Sequence, residues 1–158
     1  MIAQIIGLKV PIGQPYTALY QDGIIWMSDV LHEREEHLRP AREIHNRKGR
    51  VLIAGLGIGC ILRSAILSGA THVDVDIIGL VGPHYRSLAK QHNVNLNIIN
   101  QSIFDVPVDS DWDVAWFDIW EGVHDYKNDE SFLRTKFQDH VNWIGFWGED
   151  WTGMLVAG

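Results

Sequence analysis

A chain of 158 residues with 46% apolar and 21% charged side chains is one domain's worth of globular sequence, so a single domain is expected rather than a multidomain enzyme, and the composition is neither disordered nor collagen-like. Thirteen basic residues stand against 20 acidic ones; a net charge of −7 lacks the basic footprint that phosphate-backbone binding needs, so nucleic acid is not an expected partner. The single cysteine, Cys60, excludes an internal disulfide and a multi-cysteine zinc site; with no signal-like start and no run of about 18 apolar residues, the expectation is a cytoplasmic protein without a membrane partner.

In chain order, apolar runs at Ile2 to Val10, Thr17 to Tyr20 and Ile24 to Met27 are separated by turn residues, and Asp22-Gly23 between the last two predicts a β-hairpin. Ser28 and Asp29 are candidate N-caps for a helix over about Leu31 to Asn46. Its apolar positions are Leu31, Leu38, Ala41, Ile44 and His45, with a kink or restart expected at Pro40. Val51 to Ala54 reads as a buried strand, Gly55-Leu56-Gly57-Ile58-Gly59 as a tight loop, and Cys60 to Leu67 as a helix. Strands follow at Val73 to Ile77, Val94 to Ile99 and Asp113 to Phe117, with helices leading to His92 and over about Asp129 to Val141, and then a Trp-rich tail. Alternating strands and helices predict an α/β fold, a Rossmann-like parallel sheet with flanking helices preceded by an N-terminal β-hairpin. The expected division is residues 1–48 for hairpin and helix and 49–158 for a nucleoside-binding core with its Trp-rich tail, together one compact domain.

Charge is unevenly spread, since residues 109–158 hold three basic side chains against eleven acidic ones. A solvated acidic face is the leading explanation, and gathering of a cationic ligand such as an amine is the alternative.

A strand, a glycine turn and a helix let backbone approach a ligand at the helix N-terminus, as nucleotide-like ligands require. The dinucleotide fingerprint begun at Gly55 needs Gly or Ala where Cys60 stands, and begun at Gly57 it meets Leu62, which disfavours NAD. No Gly-Lys-Ser/Thr follows, so a P-loop is excluded. The segment VLIAGLGIG resembles motif I of the class I S-adenosylmethionine-dependent methyltransferases and of the related spermidine synthases. LYQDGIIWMSDVLHEREEH is similar to the spermidine-synthase hairpin and first helix, and DWDVAWFDIW to the strand that ends in a functional Asp, here Asp118.

That resemblance implies S-adenosylmethionine or its decarboxylated form as ligand, with Gly55, Gly57 and Gly59 holding the donor and Asp76, or else Asp74, taking its ribose hydroxyls. Asn100, Gln101 and Ser102 stand where relatives carry an Asp near the adenine, and Asp118 would orient or deprotonate the acceptor, with Glu121 and Asp125 available to an acceptor amine. Several departures are visible. The usual Glu-x-Asp-Pro after the second strand is replaced by Asp76-Ile77-Ile78-Gly79, the aminopropyl-transfer signature Asp-Ser-x-Asp-Pro by Asp118-Ile119-Trp120-Glu121-Gly122, and the Tyr-His pair of the first helix is absent from LHEREEH. About three further strands are expected after Asp118 in a complete fold, and the residues left are few, so truncation is expected. The expected function is therefore group transfer from the donor to a small acceptor, and the alternative is an inactive relative acting as an oligomeric binding or regulatory protein.

His32 and His37 are five residues apart, about 140° around a helix, so they diverge, and HEREEH reads as a solvated charged surface with no metal. Six of seven tryptophans lie in the last third. Trp112, Trp116 and Trp120 share strand parity with Asp118, so Trp116 and Trp120 are candidate ligand walls, by stacking or by cation–π enclosure of a sulfonium. Trp143, Trp147 and Trp151 fall at helical spacing and suit core packing or a subunit interface, with a homo-oligomer as the expected assembly.

Overall fold

The computed structural model describes residues 4–5, 8–9, 18–21, 24–28, 31–55, 59–76, 83–120 and 127–149, with side chains placed from Glu35 onward. Strands β1 (Gln4–Ile5) and β2 (Leu8–Lys9) form one antiparallel pair, and β3 (Ala18–Gln21) and β4 (Ile24–Ser28) another. Gln21 pairs with Ile24 across a two-residue connection, so the hairpin predicted around Asp22-Gly23 is present. Helix α1 (Leu31–Arg47) runs through Pro40 as a single element.

The remaining elements are β5 (Gly49–Ala54), α2 (Cys60–Leu67), β6 (Ala70–Asp76), α3 (Pro83–Gln91), β7 (Asn95–Ile99), β8 (Trp112–Phe117), α4 (Lys127–Phe137) and β9 (Val141–Phe146). The five strands from β5 onward form one sheet in the order β7-β6-β5-β8-β9, every neighbouring pair parallel. The winding runs from β5 outward through β6 to β7 and then returns to the other side of β5 with β8. A switch point of that kind opens a crevice at the carboxyl ends of the strands, where open α/β sheets place ligands.

Helices cover both faces, so the central strands are apolar on both sides. Val51, Leu52, Ile53 and Ala54 of β5 are all fully buried. On one face Val51, Ile53, Val73, Val75, Val114 and Trp116 pack with Ile44, Ile61, Leu62, Ala65 and Ile66 from α1 and α2. On the other, Leu52, Ala54, Ala115, Phe117 and Phe146 pack with Leu133 and Phe137 of α4. Ile61 with Ala65 and Leu62 with Ile66 face the sheet because helix positions four apart share a face, and Leu133 and Phe137 of α4 repeat the rule.

Three sequence expectations need correction. The apolar face of α1 is rotated by one step: Leu38 is 56% exposed, whereas His37, Pro40 and Ile44 are buried. The Trp-rich tail contains a strand, since Trp143 lies in β9 and its helical spacing with Trp147 is incidental; β9 is the one further strand among the described residues after Asp118. The indoles do not line one face. Trp112 turns to the α4 side at the start of β8, and Trp116 faces α1.

Candidate functional site

The carboxyl edge of the sheet is built around Gly55. Its N–H donates to the Asp76 carbonyl at 3.1 Å, and the Asp118 N–H donates to the Ala54 carbonyl at 2.9 Å, so β6 and β8 clamp the chain as it leaves β5. Gly55 has φ +86°, and a Cβ there would overlap the Asp118 carbonyl oxygen; only glycine fits both demands. Gly59, at φ +84°, meets the Tyr85 hydroxyl in the same way. Both glycines are therefore required by contacts within the chain. Gly57 and Glu121, and with them Asp125, lie outside the described residues.

Asp74 and Asp76 lie on the same face of β6, yet their surroundings differ. The Asp74 carboxylate accepts hydrogen bonds from Arg50 Nε (2.7 Å), Trp112 Nε1 (2.8 Å) and Asn97 Nδ2 (2.9 Å). Burial alone would raise its pKa, but these donors outweigh it and hold the group below the ordinary carboxylate value. Asp74 is thus fully engaged within the chain.

Asp76, 5% exposed, accepts the Ile103 backbone N–H, while its Oδ1 is buried with no hydrogen-bond partner. Burial raises its pKa to about 6, against the weaker opposing effects of the Ile103 N–H and the Lys136 ammonium. Asn100 is exposed and follows Ile99, the register partner of Asp76. Ser102 shapes the next turn: its carbonyl accepts the Asp105 and Val106 N–H groups at 2.8 and 3.1 Å, and its hydroxyl oxygen accepts the Phe104 N–H at 3.4 Å. Lys136 of α4 ties this turn down by donating to the Ile103 and Phe104 carbonyls at 3.2 and 2.7 Å. The structure thus gathers Asp76, Asn100 and Ser102 at one edge.

Asp118 sits one residue beyond β8 on the opposite face, 11% exposed, with Oδ2 3.8 Å from His37 Nε2. His37 is the residue the sequence reading misplaced: it is 8% exposed and packs edge-on to Trp116 at 6.4 Å. Burial works against its charge, but Asp118 and Cys60 outweigh it and raise its pKa to about 9. Its spacing of three from Pro40 and seven from Ile44 was the available signal. Trp116, with no exposed surface, stacks with Trp143 at 6.4 Å and carries the Arg39 guanidinium, so it is a core residue and no ligand wall. Trp120, 8% exposed, packs on Phe146 and donates its Nε1 to Asp129 at 3.0 Å, which directs it into the core also.

Among the described residues there is no cluster of His, Cys, Asp or Glu arranged for a metal ion and no helix long and apolar enough to cross a membrane. The order and direction of the five strands, with flanking helices on both faces, are those of the Rossmann-like methyltransferase fold. Similar solved structures include a Burkholderia thailandensis 1,6-didemethyltoxoflavin-N1-methyltransferase with bound S-adenosylhomocysteine, matched at 16% identity over 73% of this chain and 54% of that one, with a TM-score of 0.52. A candidate RNA methyltransferase of Pyrococcus horikoshii matches at 12% identity over 77% of this chain and 64% of that one, with a TM-score of 0.50. This chain therefore spans between about half and two thirds of their length. No family model and no curated protein matches the sequence.

Proposed function

We propose that this protein binds S-adenosylmethionine across the carboxyl ends of β5, β6 and β8 and transfers its methyl group to a small acceptor. The observation that carries the reading is the buried, unpartnered Oδ1 of Asp76 at the carboxyl end of β6, next to β5. Leaving a buried polar atom unpaired costs about 1–3 kcal/mol, and donor hydroxyls relieve that cost directly. The donor set fits: Asp76 would take the ribose hydroxyls, and Asn100 and Ser102 lie on the same edge for the base.

When bound, the sulfonium donor supplies an electrophilic methyl carbon. The chain supplies orientation and shielding from water. Asp118 accepts a hydrogen bond from the acceptor and draws off its proton, while His37 holds that carboxylate from behind. The spermidine-synthase-like version of the proposal substitutes decarboxylated S-adenosylmethionine as donor and an amine as acceptor, and the proposed assembly is a homo-oligomer. A second reading, an inactive relative that binds partners, is favoured by one observation: Gly55 and Gly59 are already accounted for by Asp118 and Tyr85, with no ligand required.

Calorimetric titration with S-adenosylmethionine, its decarboxylated form and methylthioadenosine in parallel separates these readings. Micromolar binding of one of them, lost in Asp76→Asn, is expected of the donor site. Absence of heat with all three at millimolar concentration favours the binding-protein reading.

A further inference from the structure

Toward the amino ends of β5, β6 and β7 lies a polar cluster that the proposed methyl transfer does not use. Arg50, His72 and Asn95 are register neighbours across the three strands, and Asp74 and Asn97 are neighbours two residues further along. Register partners share a sheet face, so these side chains gather on one side, where they line an open groove of about 390 Å³. Asp74, 3% exposed, organises the cluster. Its carboxylate accepts from Arg50 Nε at 2.7 Å and from Asn97 Nδ2 at 2.9 Å, and the guanidinium also lies over the Trp112 ring at 5.5 Å. A buried carboxylate and an indole together restrain the guanidinium before any ligand arrives.

The groups left open form a pattern. Among the described residues, the two terminal NH2 groups of Arg50 have no hydrogen-bond partner, since only its Nε is engaged by a side chain. Asn97 gives its Nδ2 to Asp74, which leaves its amide oxygen as an acceptor. His72 Nδ1 lies 3.1 Å from the Thr71 hydroxyl, and its Nε2, like the exposed Asn95 amide, has no partner among the described residues. A restrained guanidinium with both terminal nitrogens open matches the two oxygens of a carboxylate. Asp74 balances its charge, and Asp109 also acts on it. Repulsion from Asp109 grows with the charge of an incoming anion, which selects a singly charged carboxylate over a phosphate dianion.

We propose that this groove binds a small hydroxy acid as its carboxylate, held by the terminal N–H groups of Arg50, with the Asn97 oxygen accepting from the ligand's hydroxyl. His72 and Asn95 flank the carboxylate and add hydrogen bonds from the neighbouring strands. None of these residues belongs to the proposed donor site, so this site stands or falls separately from methyl transfer.

The experiment titrates the full chain at pH 7 with sodium glycolate, sodium acetate and inorganic phosphate, at ionic strength held constant with sodium chloride. Binding is read by NMR from the Arg50 Nε–H, Trp112 Nε1–H and Asn97 side-chain amide signals. Glycolate is expected to shift these signals saturably in the millimolar range, with acetate and phosphate each weaker by at least about threefold. Arg50→Lys keeps a charge beside Asp74 but loses the planar fork, and should weaken glycolate at least about fivefold. Shifts that never saturate overturn the proposal, as does phosphate or acetate binding as tightly as glycolate, or an Arg50→Lys chain that binds like the native one. If Arg50→Lys does not fold, Asn95→Ala decides, because it removes an exposed amide with no partner among the described residues. A loss of about twofold or more in glycolate affinity supports the site, and an unchanged affinity contradicts it.

Discussion

The two ends of the parallel sheet treat buried polar groups in opposite ways. Toward the amino ends of the strands, Asp74 is saturated by Arg50, Asn97 and Trp112, and the Arg50 N–H donates to Asp113 at 2.9 Å. Even the open polar groove of about 390 Å³ there is lined by Arg50, Asp74 and Asn97, which already bond one another. Toward the carboxyl ends lie the three buried side-chain atoms without partners among the described residues: His37 Nδ1, Asp76 Oδ1 and Trp116 Nε1. Folding alone explains the buried carboxylate at the first end. The second carries unmet hydrogen-bonding capacity, which separates a carboxylate saturated within the chain from one with an open acceptor two residues away on the same strand.

Substitutions can break this contrast or sharpen it. Gly55→Ala has the largest expected effect, a loss of more than about 3 kcal/mol in urea unfolding, because the new Cβ meets backbone and the φ is unfavourable for any other residue. Asp74→Ala leaves Trp112 Nε1 and the Arg50 guanidinium without their acceptor and should cost about 2–4 kcal/mol at pH 7. Its folded pKa is lowered, so the native group contributes stability above the unfolded carboxyl value and loses it as pH falls through the folded value; the mutant's deficit should therefore shrink in acid.

Asp76→Asn should do the reverse. Asp76 has a folded pKa of about 6, raised by burial, so its ionisation costs stability as pH climbs from the ordinary carboxyl value to about 6. Above that pH the amide should be more stable than the native chain by about 1–2 kcal/mol, read as a higher urea midpoint at pH 7.5, while binding of the donor is lost. At the small end, Arg47→Ala removes an exposed pair with Glu43 at 3.0 Å and should change stability by less than about 0.5 kcal/mol, a baseline for the other three.

Much of this contrast was legible in the sequence. Strand, glycine turn and helix are local patterns, and the VDVD run located both carboxylates, although only the structure shows that Asp74 is already engaged. Other features depend on long-range contacts. His37 sits in the run HEREEH, whose charge reads as solvent-facing, and its charge partner Asp118 comes from the end of β8, far away in sequence. Strand β9 is masked by Gly145 and by tryptophans whose spacing mimics a helix. Strand parity could not sort the indoles because both faces of this sheet are buried, so facing inward does not distinguish core from ligand wall.

The central claim is that the free oxygen of Asp76 awaits a hydroxyl donor, and NMR titration of its carboxyl carbon tests this most directly, without and with saturating S-adenosylhomocysteine. The account predicts titration near pH 6 in the free protein and a clear downward shift with the ligand, since hydroxyls bonded to the carboxylate favour its charged form. A carboxyl that titrates identically with and without the nucleoside would contradict it.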